Sequence, residues 1–254
     1  MMAWSLPARF NPLSLVFPRA CERCEIPLEE STHRRTPFLC GPCSEGLRPI
    51  DGPSCRVCGQ SFEGQNPGDW QCANCRGRDL GFDFAVGAYR GEGTMRDLMH
   101  RYKYRRRIHL ARFFGKALAR TWRDERLSQR RWIAVPVPLS RARYRHRRYN
   151  QSLEMARLFR EELAAPGAIR IEPLLKRIRH TPRQASLDRE ARLSNLAGAF
   201  RVKRRHRNRS DLVGANFLVI DDVLTTGSTV SECGFALREV FSPEEVAAIT
   251  VLRG

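Results

Sequence analysis

The chain has 254 residues, 42% of them hydrophobic and 28% charged, which suits one mid-sized domain with a small added module and excludes a disordered chain. It holds no run of about 18 apolar residues, so a membrane-spanning helix is excluded as well. Forty-five basic residues against 27 acidic ones leave a formal charge of +18, which points to polyanionic partners: nucleic acid, phosphorylated substrates or an anionic membrane face. Only Lys103, Lys116, Lys176 and Lys203 are lysine. The charge is therefore nearly all arginine, which fits either a coding bias or a demand for forked phosphate donors.

The first segment, 1–20, carries the apolar run Leu13 to Phe17 between Pro12 and Pro18, with Arg9 upstream. The run is short, and cysteines rather than a small-residue cleavage site follow it. It reads as a docking segment and not a signal peptide, which places the protein in the reducing cytosol.

Eight of the nine cysteines form four CxxC pairs: Cys21/Cys24, Cys40/Cys43, Cys55/Cys58 and Cys72/Cys75, separated by fifteen, eleven and thirteen residues. A CxxC turn aims two thiolates at one ion, and two such turns complete a tetrahedral tetrathiolate site. Disulfides need an oxidising compartment, and nothing here signals one. The stretch 21–78 is too small to hold a core without staples, so it is expected to be a double zinc ribbon whose two Zn2+ ions are structural. Pairing in sequence order is expected, and an interleaved cross-brace fits the same spacing. Cys233 falls on an expected helix and reads as a buried apolar residue.

From residue 79 to 254 strands and helices alternate, as in a mostly parallel sheet. Residues 85–89 read as a strand, 94–104 and 110–122 as helices, and 132–137 as a buried strand ending at Pro136 and Pro138. Residues 151–164 read as a helix, 217–220 as a strand buried on both faces, 229–241 as a helix and 246–252 as the closing strand.

The turn after strand 217–220 reads Asp221-Asp222-Val223-Leu224 and then Thr225-Thr226-Gly227-Ser228-Thr229. Small residues at a helix N-terminus let backbone N–H groups converge on an anion, and the hydroxyls add donors. Two carboxylates at the end of the strand can accept bonds from vicinal sugar hydroxyls. A helix cap and a solvated turn would each explain half of the pattern, but not its order behind a buried strand.

This constellation resembles the ribose-phosphate motif of type I phosphoribosyltransferases, and nearly the whole chain resembles one branch of that superfamily, the ComF family. The resemblance rests on the start LSLVFPRACERC, the four CxxC pairs, Tyr102-Lys103-Tyr104, Val135-Pro136-Val137-Pro138-Leu139, RRYNQ at 147–151, TPRQASLDREARLSNLAGAF at 181–200 and the DD…TTGST loop. It implies an α/β fold: a type I phosphoribosyltransferase-like, mostly parallel sheet flanked by helices, preceded by a small double zinc-ribbon module. It also implies residue roles. Asp221 and Asp222 would meet the ribose hydroxyls, and Thr225, Thr226, Gly227, Ser228 and Thr229 would wrap the 5-phosphate of phosphoribosyl pyrophosphate or a similar sugar phosphate. Val135, Pro136, Val137 and Pro138 would form the pyrophosphate loop, where Mg2+ meets the diphosphate, with Lys103, Arg147, Asn150 and Gln151 as nearby polar contacts. Family members more often read RGFNQ; here Arg148 and Tyr149 stand for Gly and Phe, which removes a flexible position and adds charge.

The fold implies transfer of a ribosyl 5-phosphate from C1, with pyrophosphate leaving, yet no catalytic residue and no acceptor pocket can be named. Residues 165–210 are the one candidate for a hood, and Arg179, Arg183, Gln184, Arg189, Arg192 and Asn195 there look unlike a nucleobase slot. Read to Gly254, no C-terminal hood is expected. The arginines suggest another use. One cluster is Arg101, Arg105, Arg106 and Arg107 with Tyr102 and Tyr104 between; a second is Arg141, Arg143, Arg145, Arg147 and Arg148 with Tyr144 and Tyr149; a third is Lys203, Arg204, Arg205, Arg207 and Arg209. Cations follow a phosphate backbone and aromatic rings stack on unpaired bases, so Arg105, Arg106, Arg107, Arg143, Arg145, Arg183, Arg192, Arg204 and Arg205 are candidate DNA contacts. ComF-family proteins are associated with natural competence and use of external DNA, as peripheral components of the inner membrane. The resemblance thus implies a protein that binds incoming single-stranded DNA on the cytosolic side and passes it to a helicase or channel partner. An active Mg2+-dependent phosphoribosyltransferase with an unknown acceptor is the alternative, and a purely structural or regulatory ribbon protein a third.

Overall fold

The computed structural model describes residues 19–28, 36–64, 70–179 and 198–254. The docking segment at 1–18 and the candidate contacts Arg183, Gln184, Arg189, Arg192 and Asn195 lie outside the described residues. The chain divides into two compact units, Met1–Leu47 and Arg48–Gly254.

In the first unit the Cys21–Cys24 pair sits in a knuckle. Cys21 N–H donates to the Ile26 carbonyl at 2.8 Å and Glu25 N–H to the Cys21 carbonyl at 2.9 Å. Glu25 takes the left-handed conformation, φ 65°, that closes so tight a turn. The Cys40/Cys43 pair leads into helix α1 (Gly41–Glu45), which has a proline in its first turn, where the missing N–H costs no helical bond.

The second unit repeats that knuckle. Cys55 N–H donates to the Gln60 carbonyl at 2.8 Å and Gly59 N–H to the Cys55 carbonyl at 2.9 Å. Here the left-handed position, φ 66°, is glycine. A Cβ on Gly59 would meet the Ala85 carbonyl oxygen at 2.8 Å, so only glycine lets the knuckle touch the strand that carries Ala85.

That strand, β1 (Phe84–Arg90), is one edge of a five-stranded sheet. The sheet also holds β2 (Trp132–Pro136), β3 (Ile169–Ile171), β6 (Phe217–Leu224) and β7 (Val246–Arg253), in the order β1-β7-β6-β2-β3. Every pairing is parallel. All eight residues of β7 are buried, the pattern of a strand covered on both faces. A separate antiparallel pair, β4 (Leu175–Arg177) with β5 (Phe200–Val202), stands beside the main sheet. The α/β, mostly parallel architecture expected from the sequence is therefore present, with its ribbon module before it.

The further helices among the described residues are α2 (Gly93–Tyr104), α3 (Leu110–Ala119), α4 (Arg141–Arg147), α5 (Gln151–Glu161) and α6 (Ser228–Phe241), with a single helical turn at Glu125–Ser128. The longer ones, α4 apart, follow the apolar spacing. Helices α3 and α5 pack together on the sheet, close enough that a Cβ on Gly115 would lie 2.6 Å from the Leu158 Cβ. On α6, Val230, Cys233, Leu237 and Phe241 join Phe217 and Val219 of β6, Val246 and Ala248 of β7, and Leu175, Phe200 and Val202 of the antiparallel pair in one buried cluster. Cys55, Cys58, Cys72 and Cys75 belong to the same cluster, so the second ribbon shares the core of the α/β unit. Cys233 is fully buried, as its helical position suggested.

Several expectations need correction. The helix expected over 110–122 stops at Ala119 and tightens into a 3-10 turn over Arg120–Arg123. The strand expected to stop at 220 runs to Leu224, because Asp221, Val223 and Leu224 continue the ladder to Thr250, Leu252 and Arg253. Asp221 and Asp222 are thus strand residues and not turn residues. Helix α4 carries no apolar period and could not be read as one. Its start is fixed by Ser140, whose hydroxyl accepts from the Arg143 N–H at 3.4 Å.

Candidate functional site

All five parallel strands point their C-terminal ends toward one edge, where ligands of open α/β sheets bind. Beyond β6 comes the loop 225–227, beyond β2 the Val137 to Ser140 turn, and beyond β1 the helix α2 with Lys103 in its last turn. Asp222 with Lys103, and the turn after β2 with Asn150, meet at this edge.

Asp221 and Asp222 point to opposite sides of β6 and differ in environment. Asp221 is 9% exposed, and its Oδ1 accepts from the Ser152 hydroxyl at 3.3 Å and the Asp222 N–H at 2.9 Å. Burial, and then the neighbouring Asp222 charge, push its carboxyl from 3.8 up to about 7, against the opposing pull of Lys103. Asp222 lies nearer the surface and is paired with the Lys103 ammonium at 2.7 Å. The site therefore sets a carboxyl that titrates near neutrality beside a carboxylate with a cationic partner. Sequence reasoning had Lys103 as a nearby contact. It missed Ser152, whose place one residue into α5 gave no signal.

The turn after β2 is tied to the same place. Val137 N–H donates to the Ile220 carbonyl at 3.0 Å. The Asn150 side chain donates from Nδ2 to the Val137 carbonyl at 3.1 Å, while its Oδ1 caps α5 by accepting from Ser152 N–H at 3.1 Å. Asn150 thus fixes the 135–138 segment against the helix that presents Ser152. Gln151 is 1% exposed, and its carbonyl accepts from the Tyr102 hydroxyl at 3.4 Å. Arg148 settles how RRYNQ accommodates the loss of glycine: it adopts the left-handed conformation itself, φ 69°, and its N–H caps α4 through the Tyr144 carbonyl at 2.7 Å. The bend is one that glycine adopts freely, and here an arginine bears its strain.

At the loop itself Gly227 is left-handed, φ 78°, and caps α6. Ser228 is buried and shares a 2.7 Å hydrogen bond with the Thr226 hydroxyl, whereas Thr225 is exposed and Thr229 half-buried. The loop rests on two cations that sequence reasoning missed. Arg253 donates to the Leu224 and Thr225 carbonyls at 3.0 and 2.9 Å, and Arg78 to the Thr226 carbonyl at 3.4 Å.

The arginine clusters are arranged unevenly. The Arg147 guanidinium lies over the Tyr104 ring, 5.0 Å from its centroid, and the Tyr149 hydroxyl donates to the Tyr102 carbonyl at 2.6 Å. The end of α2 and the end of α4 are thereby one surface beside Lys103 and Asp222. Arg105, Arg106, Arg107 and Arg145 are exposed there, Arg143 is half-buried, and Tyr144 is 53% exposed. Tyr102 corrects an expectation: it is fully buried against Phe114 and Tyr149 and offers no face for a base. In the third cluster Arg204, Arg205 and Arg207 are exposed, but Arg209 forks onto Asp211 at 2.6 Å and Glu172 at 3.2 Å, and Lys203 donates to the Pro173 carbonyl.

The cysteines gather as two tetrads in sequence order, Cys21, Cys24, Cys40, Cys43 and Cys55, Cys58, Cys72, Cys75, with the sulfurs of each within 4.8 Å of one another. The cross-braced alternative is not the arrangement found. Neighbouring sulfurs such as Cys24 and Cys40, or Cys58 and Cys72, stand 3.5 Å apart. A tetrahedral ion with metal–sulfur bonds of about 2.3 Å places its ligands about 3.8 Å apart, so both tetrads fit Zn2+, and no disulfide links them. A hydrogen bond from the Cys75 thiol, and then the Arg253 charge, lower the Cys58 thiol from its ordinary value.

Residues 12–76 match the family model described as a double zinc ribbon domain. Over most of its length the chain is similar to curated proteins. Competence protein F of Haemophilus influenzae is 25% identical over 205 residues, 80% of this chain and 85% of that protein. DNA utilization protein YhgH of Salmonella typhi is 28% identical over 225 residues, 86% of this chain and 90% of that protein. Competence protein ComFC of Bacillus subtilis is 26% identical over 248 residues, 92% of this chain and 94% of that protein. The resemblance to the ComF family read from the motifs is borne out. Among the described residues no helix is long and apolar enough to cross a membrane.

Proposed function

We propose that the protein serves DNA uptake: it binds incoming single-stranded DNA on the cytosolic side of the inner membrane, handing it to a helicase or channel component, and holds a phosphoribosyl pyrophosphate-type sugar phosphate at the end of its sheet. The relatives named for competence and DNA utilization support the role. The observation that carries the reading is the continuity of the Arg147–Tyr104 surface with the Lys103–Asp222 pair, which sets exposed cations beside the sugar-phosphate motif.

In this reading Asp221 and Asp222 accept hydrogen bonds from the ribose hydroxyls. The N–H groups and hydroxyls of residues 225–229 receive the 5-phosphate, with the N-terminus of the 14-residue helix α6 behind them. The backbone of residues 135–138, held by Asn150, faces the diphosphate. Mg2+, when bound, would offset the diphosphate charge. Exposed arginines at the ends of α2 and α4 follow the strand's phosphates, and Tyr144 offers a stacking face.

Fluorescence anisotropy of the zinc-loaded protein with single-stranded and duplex oligonucleotides, across a salt series, tests the reading. Preference for single strands with a steep salt slope is expected. Equal and weak binding of both forms would refute it. The Asp221→Asn/Asp222→Asn double variant should keep oligonucleotide binding and lose ribose 5-phosphate binding. The second reading, an active phosphoribosyltransferase, draws on the retention of both carboxylates with Lys103 on one of them. Mg2+-dependent pyrophosphate release in the presence of candidate acceptors would favour it.

A further inference from the structure

Arg253 ends β7 and is 4% exposed. Among the described residues the five hydrogen bonds of its guanidinium go to Cys58 of the second ribbon, to Leu224 at the end of β6, and to Thr225 and Gly254. Nε donates to the Cys58 carbonyl at 2.8 Å and Nη2 to the Cys58 sulfur at 3.1 Å. Nη1 donates to the Leu224 and Thr225 carbonyls at 3.0 and 2.9 Å, and to the Gly254 carbonyl. Among the described residues no Asp or Glu side chain pairs with this buried cation.

A guanidinium out of water needs a compensating negative charge. Among the described side chains the candidate in contact is Cys58. Four thiolates around a divalent ion carry a net charge of about −2, so a metal-loaded tetrad is an anionic partner for Arg253 inside the fold. The planar fork then reaches from that anion to the carbonyls that open residues 225–229. A second strut runs in parallel. Arg78, three residues beyond Cys75, donates from one nitrogen to the Asn74 carbonyl at 2.9 Å and to the Thr226 carbonyl at 3.4 Å.

We infer that the metal-loaded second tetrad is the anionic anchor of the 225–229 loop, with Arg253 as the positioning residue that transmits its hold. The inference rests on reading that loop as the sugar-phosphate site. Metal at Cys55, Cys58, Cys72 and Cys75 then sets whether the site is formed, and its loss opens the loop before the sheet gives way.

Hydrogen–deuterium exchange on the full zinc-loaded chain tests this, together with ribose 5-phosphate binding by calorimetry. In Arg253→Lys, which keeps the charge but cannot fork, amide exchange across residues 225–228 should rise at least tenfold. Residues 217–220 should stay protected, and two zinc ions per chain should remain. Ribose 5-phosphate affinity should fall at least tenfold. Unchanged loop exchange with two bound zinc ions would overturn the inference. If the variant does not fold, chelator titration of the wild type decides, with thiol labelling reporting release of Cys55 to Cys75. Loop exchange should rise in step with labelling, and a loop still protected after the tetrad is emptied would overturn the inference. Wild-type protein that shows the exchange coupling but binds no ribose 5-phosphate would refute the sugar-phosphate reading and leave the mechanical link standing.

Discussion

Asp221 is a site residue held at the expense of stability. Its carboxyl is lifted from 3.8 to about 7 by burial and by Asp222. In the unfolded chain the same group ionises near pH 4. Between those two values the native state holds a proton that the unfolded state has released, so stability declines as pH rises and levels off above about pH 7. At about 1.4 kcal/mol per pH unit, the span amounts to ~4 kcal/mol as an upper bound. Asparagine removes the ionisation. Its Oδ1 can still accept from the Ser152 hydroxyl and the Asp222 N–H, now 3.3 and 2.9 Å from the carboxylate oxygen. Asp221→Asn should therefore be more stable than wild type at pH 8, by ~2–4 kcal/mol, and the gap should shrink toward zero by pH 4. Urea unfolding of both proteins at half-unit steps from pH 4 to 8 measures it. A variant less stable than wild type at pH 8 would refute the reasoning, since it would make Asp221 a structural residue whose charge the fold needs.

Three further outcomes follow from backbone and packing. Arg148→Gly should raise stability by ~0.5–1 kcal/mol in thermal unfolding, because glycine adopts the left-handed cap without the Cβ penalty that Arg148 bears at φ 69°. Gly234→Ala should cost ~3 kcal/mol or more in urea unfolding, since its Cβ would lie 2.0 Å from the Gly81 carbonyl oxygen and backbone must move. Trp132→Phe should cost ~2 kcal/mol, as it empties space at a fully buried site and removes the hydrogen bond that the indole N–H makes to the Leu127 carbonyl at 2.8 Å.

Long apolar periods made most of the sheet and helices legible. β7 and α6 lie within a residue or so of their expected ends, because both faces of β7 and one face of α6 are apolar. The strand end at Asp221 and Asp222 was misread because charge at a strand terminus looks like solvent. Only the ladder partner Thr250 and its successors show the strand continuing. Three-residue strands such as β4 and β5 are too short to carry a period at all. At the site, motif residues were legible and their supports were not. Ser152 and Arg78 sit in sequence as an ordinary hydroxyl and an ordinary surface charge. Arg253, beside the final glycine, gave no hint of a buried guanidinium reaching 195 residues back to Cys58.

Counting arginines also overstated the surface that a strand can use. Arg209 already faces Asp211 and Glu172, so its charge is spent, whereas Arg105, Arg106 and Arg145 are exposed on the face that Arg147 and Tyr104 join. Each cation that displaces a counterion from a single strand steepens the log–log salt dependence by about 0.7. Replacing Arg105, Arg106 and Arg145 with glutamine should therefore flatten the slope by up to about 2 for an oligonucleotide spanning the face. Arg209→Gln should leave it unchanged, although its formal loss of charge is the same in kind. Anisotropy titrations from low to physiological salt compare the two. If Arg209→Gln flattened the slope as much, residue for residue, as the exposed set, binding would track net charge alone, and the assignment of the strand to the α2–α4 face would fall.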